Sequence, residues 1–206
     1  MKTIVLVLLF TVCVTATVLV HAECKEPSTI KQLLEMSTAS EKAFADMDLT
    51  NLLKHAIFAR EQIIPCLKQS LSPKEAAAFH RLMALEAFTR HDDKQVISEF
   101  HAARRCDPGY TIPPEVADGD HPLLTSYQEA ANVVDGVPES IYAPAEGHVL
   151  VGGIRNAPRL KKTPAIIQVY GSELDESWIE TKYIQPGETL PIWGKNMFGL
   201  TARDLG

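Results

Sequence analysis

No two cysteines stand two residues apart and no His-Glu-x-x-His run occurs, so the sequence carries no zinc-site spacing. A Gly-x-Ser-x-Gly elbow, a phosphate-cradling Walker loop and a Gly-x-Gly-x-x-Gly fingerprint are also missing, which removes the commonest hydrolase, nucleotidase and dinucleotide-binding readings. Positive charge is scarce. Lys and Arg number 20 against 26 Asp and Glu, a net charge of -6, which excludes affinity built on neutralising nucleic-acid phosphates. With 11 Gly, 13 Pro and four Cys in 206 residues, the chain is neither collagen-like nor a disulfide-dense scaffold. What it does have is 46% apolar and 22% charged residues, enough to bury a core in one or two domains.

The one long apolar run lies at the start. Lys2 is the only charge before Glu23, and Ile4 to Val20 is almost wholly apolar, ending in Val20-His21-Ala22. Small groups at the last position and two before it are what a signal peptidase accepts, so residues 1–22 read as a secretory signal cleaved after Ala22. The alternative is an uncleaved N-terminal anchor, because about 17 apolar residues can just reach across a bilayer core of about 30 Å. After cleavage no transmembrane segment is expected. A lipoprotein reading fails because Cys24 follows His21, Ala22 and Glu23.

Export places Cys24, Cys66 and Cys106 in an oxidising compartment, where one must stay unpaired within a monomer. Cys24 precedes the first expected helix and Cys66 ends the second, and in an antiparallel hairpin those ends are neighbours. A Cys24–Cys66 bridge is therefore expected, with Cys106 buried and inert; a Cys66–Cys106 bridge is the alternative.

From Ser28 to about Ala131 apolar residues recur at helical spacing, giving about five helices. The first opens at Ser28 as N-cap and places Ile30, Leu33, Leu34, Phe44 and Met47 near one face, with a possible bend at Ser37–Ser40. Asp48 caps the second, which Pro65 should kink. Ser72-Pro73-Lys74-Glu75 is a capping box with Pro at the first helical position. The helix it opens turns at His91-Asp92-Asp93 into a fourth that ends at Asp107-Pro108-Gly109, and Asp120-His121-Pro122 opens a fifth. Beyond residue 137 the pattern becomes short β-rich runs: His148–Val151, Ala165–Tyr170 and Trp178–Ile184, with Gly152-Gly153 as a tight turn.

Ala84, Val96, Phe100, Ala103 and Pro108 fall at the spacings of the small, Ala, aromatic, Ala and Pro positions of a tetratricopeptide repeat, so residues 77–110 resemble a degenerate repeat of that family. His80 and Ala87 stand where the pattern has aromatic residues. The resemblance implies stacked helical hairpins with a protein-binding groove. Gly147, Val149, Val151, Gly153, Thr163-Pro164 and Ile166 resemble the opening of PEGA-type β-domains of bacterial envelope proteins, without their naming tetrapeptide. That similarity implies an accessory or binding module.

The remaining candidates have simpler readings beside the chemical ones. Ser28 and Lys31 have the spacing of penicillin-binding enzymes but lack the companion motifs. His91, Asp92, Asp93 and His101 could ligate a metal, although a helix start selects Asp in any case, and no metal or cofactor is expected. Arg155, Arg159, Lys161 and Lys162 cluster in one loop and form the candidate anion-binding site, or else a solvated loop. Trp178, Tyr183, Trp193 and Phe198 are the core a small sheet needs or an aromatic patch.

The expectation is an α+β protein with three segments: signal at 1–22, tetratricopeptide-like helical domain at 23–137, and small antiparallel β-domain with tail at 138–206. Its expected function is an exported, non-enzymatic scaffold or binding module of the bacterial cell envelope, periplasmic in setting and engaging an envelope protein. The rivals are a periplasmic enzyme, signalled by a deep polar pocket holding two or more of His80, His91, His101 and nearby carboxylates, and a purely structural envelope component.

Overall fold

The computed structural model describes residues 24–144, 146–173, 176–191 and 193; the signal segment, the cut after Ala22 and Phe198 lie outside the described residues. Helix α1 runs Ile30–Ala45, and its N-cap is Thr29 rather than Ser28. The Thr29 hydroxyl accepts from the Gln32 N–H while Gln32 Oε1 takes the Thr29 N–H at 2.8 Å, so two helix-end donors are satisfied reciprocally. Ser28 is used differently: its N–H donates to the Cys66 carbonyl at 2.9 Å, tying the start of α1 to the far end of the hairpin. Helix α1 passes through Ser37–Ser40 as one element, with the Ser40 hydroxyl donating back to the Met36 carbonyl at 2.7 Å and that of Ser37 donating across to Ala78.

Helix α2 (Leu49–Phe58) is capped by Asp48 and continues through a π turn (Ala59–Ile63) into the single turn α3 (Ile64–Cys66). Pro65 causes this. It has no N–H to give, and its ring would strike the carbonyl four residues back, so the kink expected at Pro65 takes the form of a widened turn just before it. The Ser72–Glu75 capping box opens α4 (Pro73–Thr89), and Asp92 caps α5 (Asp93–Cys106), with His91 at φ 57° making the turn between them. Helix α6 (Pro122–Glu129) opens at His121, whose ring accepts from the Leu123 N–H. It closes the end of the second hairpin: Tyr127 meets Phe100 edge-on at 5.1 Å, and His121 packs on Phe44 and Phe88.

Four strands, β2 (His148–Val151), β3 (Ile154–Arg155), β5 (Ala165–Glu173) and β6 (Glu176–Ile184), form an antiparallel sheet in the order β3-β2-β5-β6; β1 (Pro138–Glu139) pairs separately with β4 (Arg159–Leu160). Alternation assigns the two faces of β5 and β6 to two different cores. Ile166 and its cross-strand partner Tyr183 join Leu33, Ile64, Phe79 and Leu82, in the layer built by the helices. Ala165, Ile167, Val169 and Ile184 turn the other way and pack with Val149, Trp178 and Trp193. The seam between sheet and helices is hydrogen-bonded as well as apolar. Gln168 accepts from the Leu71 N–H and donates to the Gln69 carbonyl, each at 2.8 Å, and Thr181 donates to the Leu67 carbonyl at 2.8 Å. The result is an α+β fold in which two helical hairpins are backed by a small antiparallel sheet.

Candidate functional site

The basic loop does not assemble into a site. Arg159 is fully buried, donating to the carbonyls of Gln185 and Glu188 at 2.8 Å each, with Glu139 at 3.6 Å. Desolvation lowers its basicity, partly offset by Glu139 and then Glu188. It is therefore a structural clamp between β4 and the turn after β6, and only Arg155, Lys161 and Lys162 face solvent. A buried side chain cannot meet an exposed anion without unmaking those bonds, so the four-residue anion site falls.

Cys24 and Cys66 are disulfide-bonded with their Cα atoms 5.4 Å apart. Cys106 is free and half-buried rather than buried: its Sγ faces the β2–β3 turn, where a β-carbon on Gly152 would lie 2.7 Å from it. Gly152 and Gly153 have φ of 55° and 79°, and a β-carbon on Gly153 would come within 2.4 Å of the Ser72 carbonyl carbon. The turn thus needs glycine for its conformation and for its approach to the start of α4.

The three histidines scatter. His91 sits exposed in the turn. On α5, His101 pairs with the Ala130 carbonyl and with Asp135, which Arg105 also holds. Desolvation raises the Asp135 carboxyl, but hydrogen bonds and charge from Arg105, then His101, outweigh it and leave the acid below its ordinary range. His80 turns inward. Its Nδ1 lies 2.8 Å from Glu99 Oε2, and the other oxygen of Glu99 accepts the Tyr183 hydroxyl from β6. These three groups link both helices of the second hairpin to the sheet. Burial, then the Glu99 charge, hold the Tyr183 proton far above the phenol range. A carboxylate accepting from Tyr183 leaves the His80 proton on Nδ1, so Nε2 is the nitrogen left unengaged.

His80 lines a cavity of about 60 Å³ between the end of α5 and the sheet, shared with Arg105, Cys106, Gly152 and Thr163. Of the three histidines, only His80 reaches it. The Cys106 thiol, raised to about 11 chiefly by burial, with Asp107 adding and Arg105 opposing, stays protonated at neutral pH and is a poor nucleophile. Among the described residues no group of three or more metal-ligating side chains converges, and no helix is long and apolar enough to cross a membrane. Spacing could not have revealed the cavity: His80, Cys106 and Thr163 lie on three separate elements.

A second surface lies on the outer side of the first hairpin. Leu34 (39% exposed), Leu49 (38%), Ile57 (39%) and Phe58 (47%) leave much of their apolar area in water, and a shallow hollow runs along α1 from Ile30 to Lys42. Leu34 and Met47, expected on the core face, are thus exposed; Met47 lies past the end of α1 at φ 59°. Compared with known proteins, the chain matches no family model, no curated protein and no solved structure.

Proposed function

We propose that the protein acts outside the cytoplasm as a non-enzymatic scaffold or protein-binding module of a bacterial envelope, with tetratricopeptide-like hairpins and a PEGA-like sheet. The observation that carries this reading is the unequal burial of the two hairpins: α4 buries nearly every residue from Ala76 to Ala87, while α1 and α2 keep Leu34, Ile57 and Phe58 at the surface. A small apolar surface on rigid helices suits a protein partner. The Cys24–Cys66 bond supports an exported setting, because such bonds persist in oxidising compartments.

The test is affinity capture from envelope fractions with three proteins: wild type, a Leu34→Glu/Ile57→Glu/Phe58→Glu variant, and an Arg155→Ala/Lys161→Ala/Lys162→Ala variant. Loss of the partner in the first variant alone, with an unchanged melting temperature, is expected. Loss in the second alone would move binding to the sheet. Recovery of Met1 intact at the N-terminus would refute cleavage after Ala22. An enzymatic reading stands second and draws on the carboxylate-oriented His80.

A further inference from the structure

The outward side of α1 carries its charges in an order that fits a second copy of itself. Lys31, Glu35, Lys42 and Asp46 are all exposed and stand four, seven and four residues apart, so their signs run plus, minus, plus, minus about a midpoint between Thr38 and Ala39. At about 100° per residue the four fall within about 60° of arc, opposite the face that buries Leu33, Ser37, Ser40 and Phe44. Leu34, Thr38 and Ala45 are exposed in the strip beside them. Within one molecule the charges pair as Lys31–Glu35 at 3.7 Å and Lys42–Asp46 at 2.6 Å, as neighbours one turn apart on a helix do. Those pairs need no particular distance between them. The gap of nearly two turns does more: it keeps both pairs on one face, and when that face is turned end over end about the midpoint, each charge comes level with one of opposite sign.

We propose that this face is an interface between two copies of the chain, their α1 helices antiparallel about a two-fold axis beside Thr38 and Ala39. The proposal rests on the reading of the first hairpin's outer side as a protein contact, and it names the occupant. Lys31 then faces the second copy's Asp46 and Glu35 faces its Lys42, each contact being made twice because the same patch serves both copies. Thr38 and Ala39 are small and let the helices approach closely at the axis. Leu34 comes level with the second copy's Ala45, which takes out of water a side chain that the single chain leaves 39% exposed. The hollow lined by Ile30, Leu34, Thr38 and Ala39 runs along the same strip and receives the opposing side chains. An unrelated partner would have to carry the matching order of signs, whereas a second copy brings it.

Analytical ultracentrifugation of the protein as recovered from cells, from micromolar to submillimolar concentration, tests this. A concentration-dependent dimer is expected at low salt, weakening as salt screens the charged contacts. Glu35→Lys and Lys42→Glu each set like charges against one another twice and should weaken the dimer about tenfold or more. An equimolar mixture of the two variants restores every opposite pair and should dimerise at least as well as wild type. If either variant misfolds, Lys31→Glu and Asp46→Lys run the same scheme. A protein monomeric throughout, two folded variants that dimerise as wild type, or a mixture no tighter than its components would overturn the proposal. Its failure is distinguishable from that of the scaffold reading. A monomeric chain whose Leu34→Glu/Ile57→Glu/Phe58→Glu variant still loses an envelope partner overturns the second copy and leaves the scaffold; a dimer rescued by mixing, with no envelope partner captured, upholds the second copy and removes the scaffold.

Discussion

The two helical hairpins are built by the same local rules and end up in opposite circumstances. In each, an Asp or Thr/Ser cap starts the helices and a short turn reverses the chain. The first hairpin is closed covalently at its open end by Cys24–Cys66 and by the Ser28–Cys66 backbone bond. It leaves apolar residues of both helices in water. The second is closed by packing: α4 buries nearly every residue from Ala76 to Ala87, and the charged Glu99 is buried with it, paired to His80 and Tyr183. A hairpin buried on most sides can hold polar groups inside and shape a cavity, while one whose outer side stays in water offers a surface. Amphipathic pattern makes both, and neighbours decide which role each takes.

Breaking the packed hairpin should cost most. Phe100→Ala removes a ring buried among Val96, Ala84 and Tyr127 and should cost about 3 to 5 kcal/mol in urea unfolding. Removing the staple with a Cys24→Ser/Cys66→Ser variant should cost about 3 to 4 kcal/mol, the value for a loop of about 40 residues; a loss below about 1 kcal/mol would mean the backbone bond alone closes the first hairpin. Arg81 sharpens the contrast. It is mostly buried, lying 3.8 Å over the Tyr110 ring with Glu41 and Asp107 nearby, so Arg81→Ala should cost about 1 to 2 kcal/mol. Lys74 and Lys94 are exposed, and replacing either with Ala should change stability by less than about 0.5 kcal/mol.

A pH series separates the hairpins again. The Cys106 thiol is raised from 9.0 to about 11, so the folded protein keeps a proton that the unfolded chain releases. This group's contribution should therefore make stability fall as pH climbs from about 9 to about 11. The loss should shrink in Cys106→Ser, with alkylation at pH 8 slow in the native protein and fast in urea.

The capping box at Ser72, the cap at Asp92, the turn glycines and the period-2 runs were legible in the chain, because each depends on residues within a few positions. So was the Cys24–Cys66 bond, since it follows from a hairpin bringing its ends together. The N-cap of α1 missed by one residue because Ser28 and Thr29 offer the same hydroxyl, and a distant carbonyl, that of Cys66, decided between them.

Arg159 shows the limit more plainly. Its neighbours in sequence are basic and make a loop that reads as a charged patch, yet pairing of β4 with β1 carries it inside onto carbonyls near thirty residues away. Tyr183 likewise reads as sheet core and instead crosses to a carboxylate on α5. The chain by itself determined the type of each element, its caps and turns, and which residues had to leave water. Only the tertiary structure decided which buried face met which, and so placed Arg159 in a clamp and His80 beside a cavity. The reason is that burial is a local demand of a side chain, whereas the partner that satisfies it is chosen by elements far apart in the sequence.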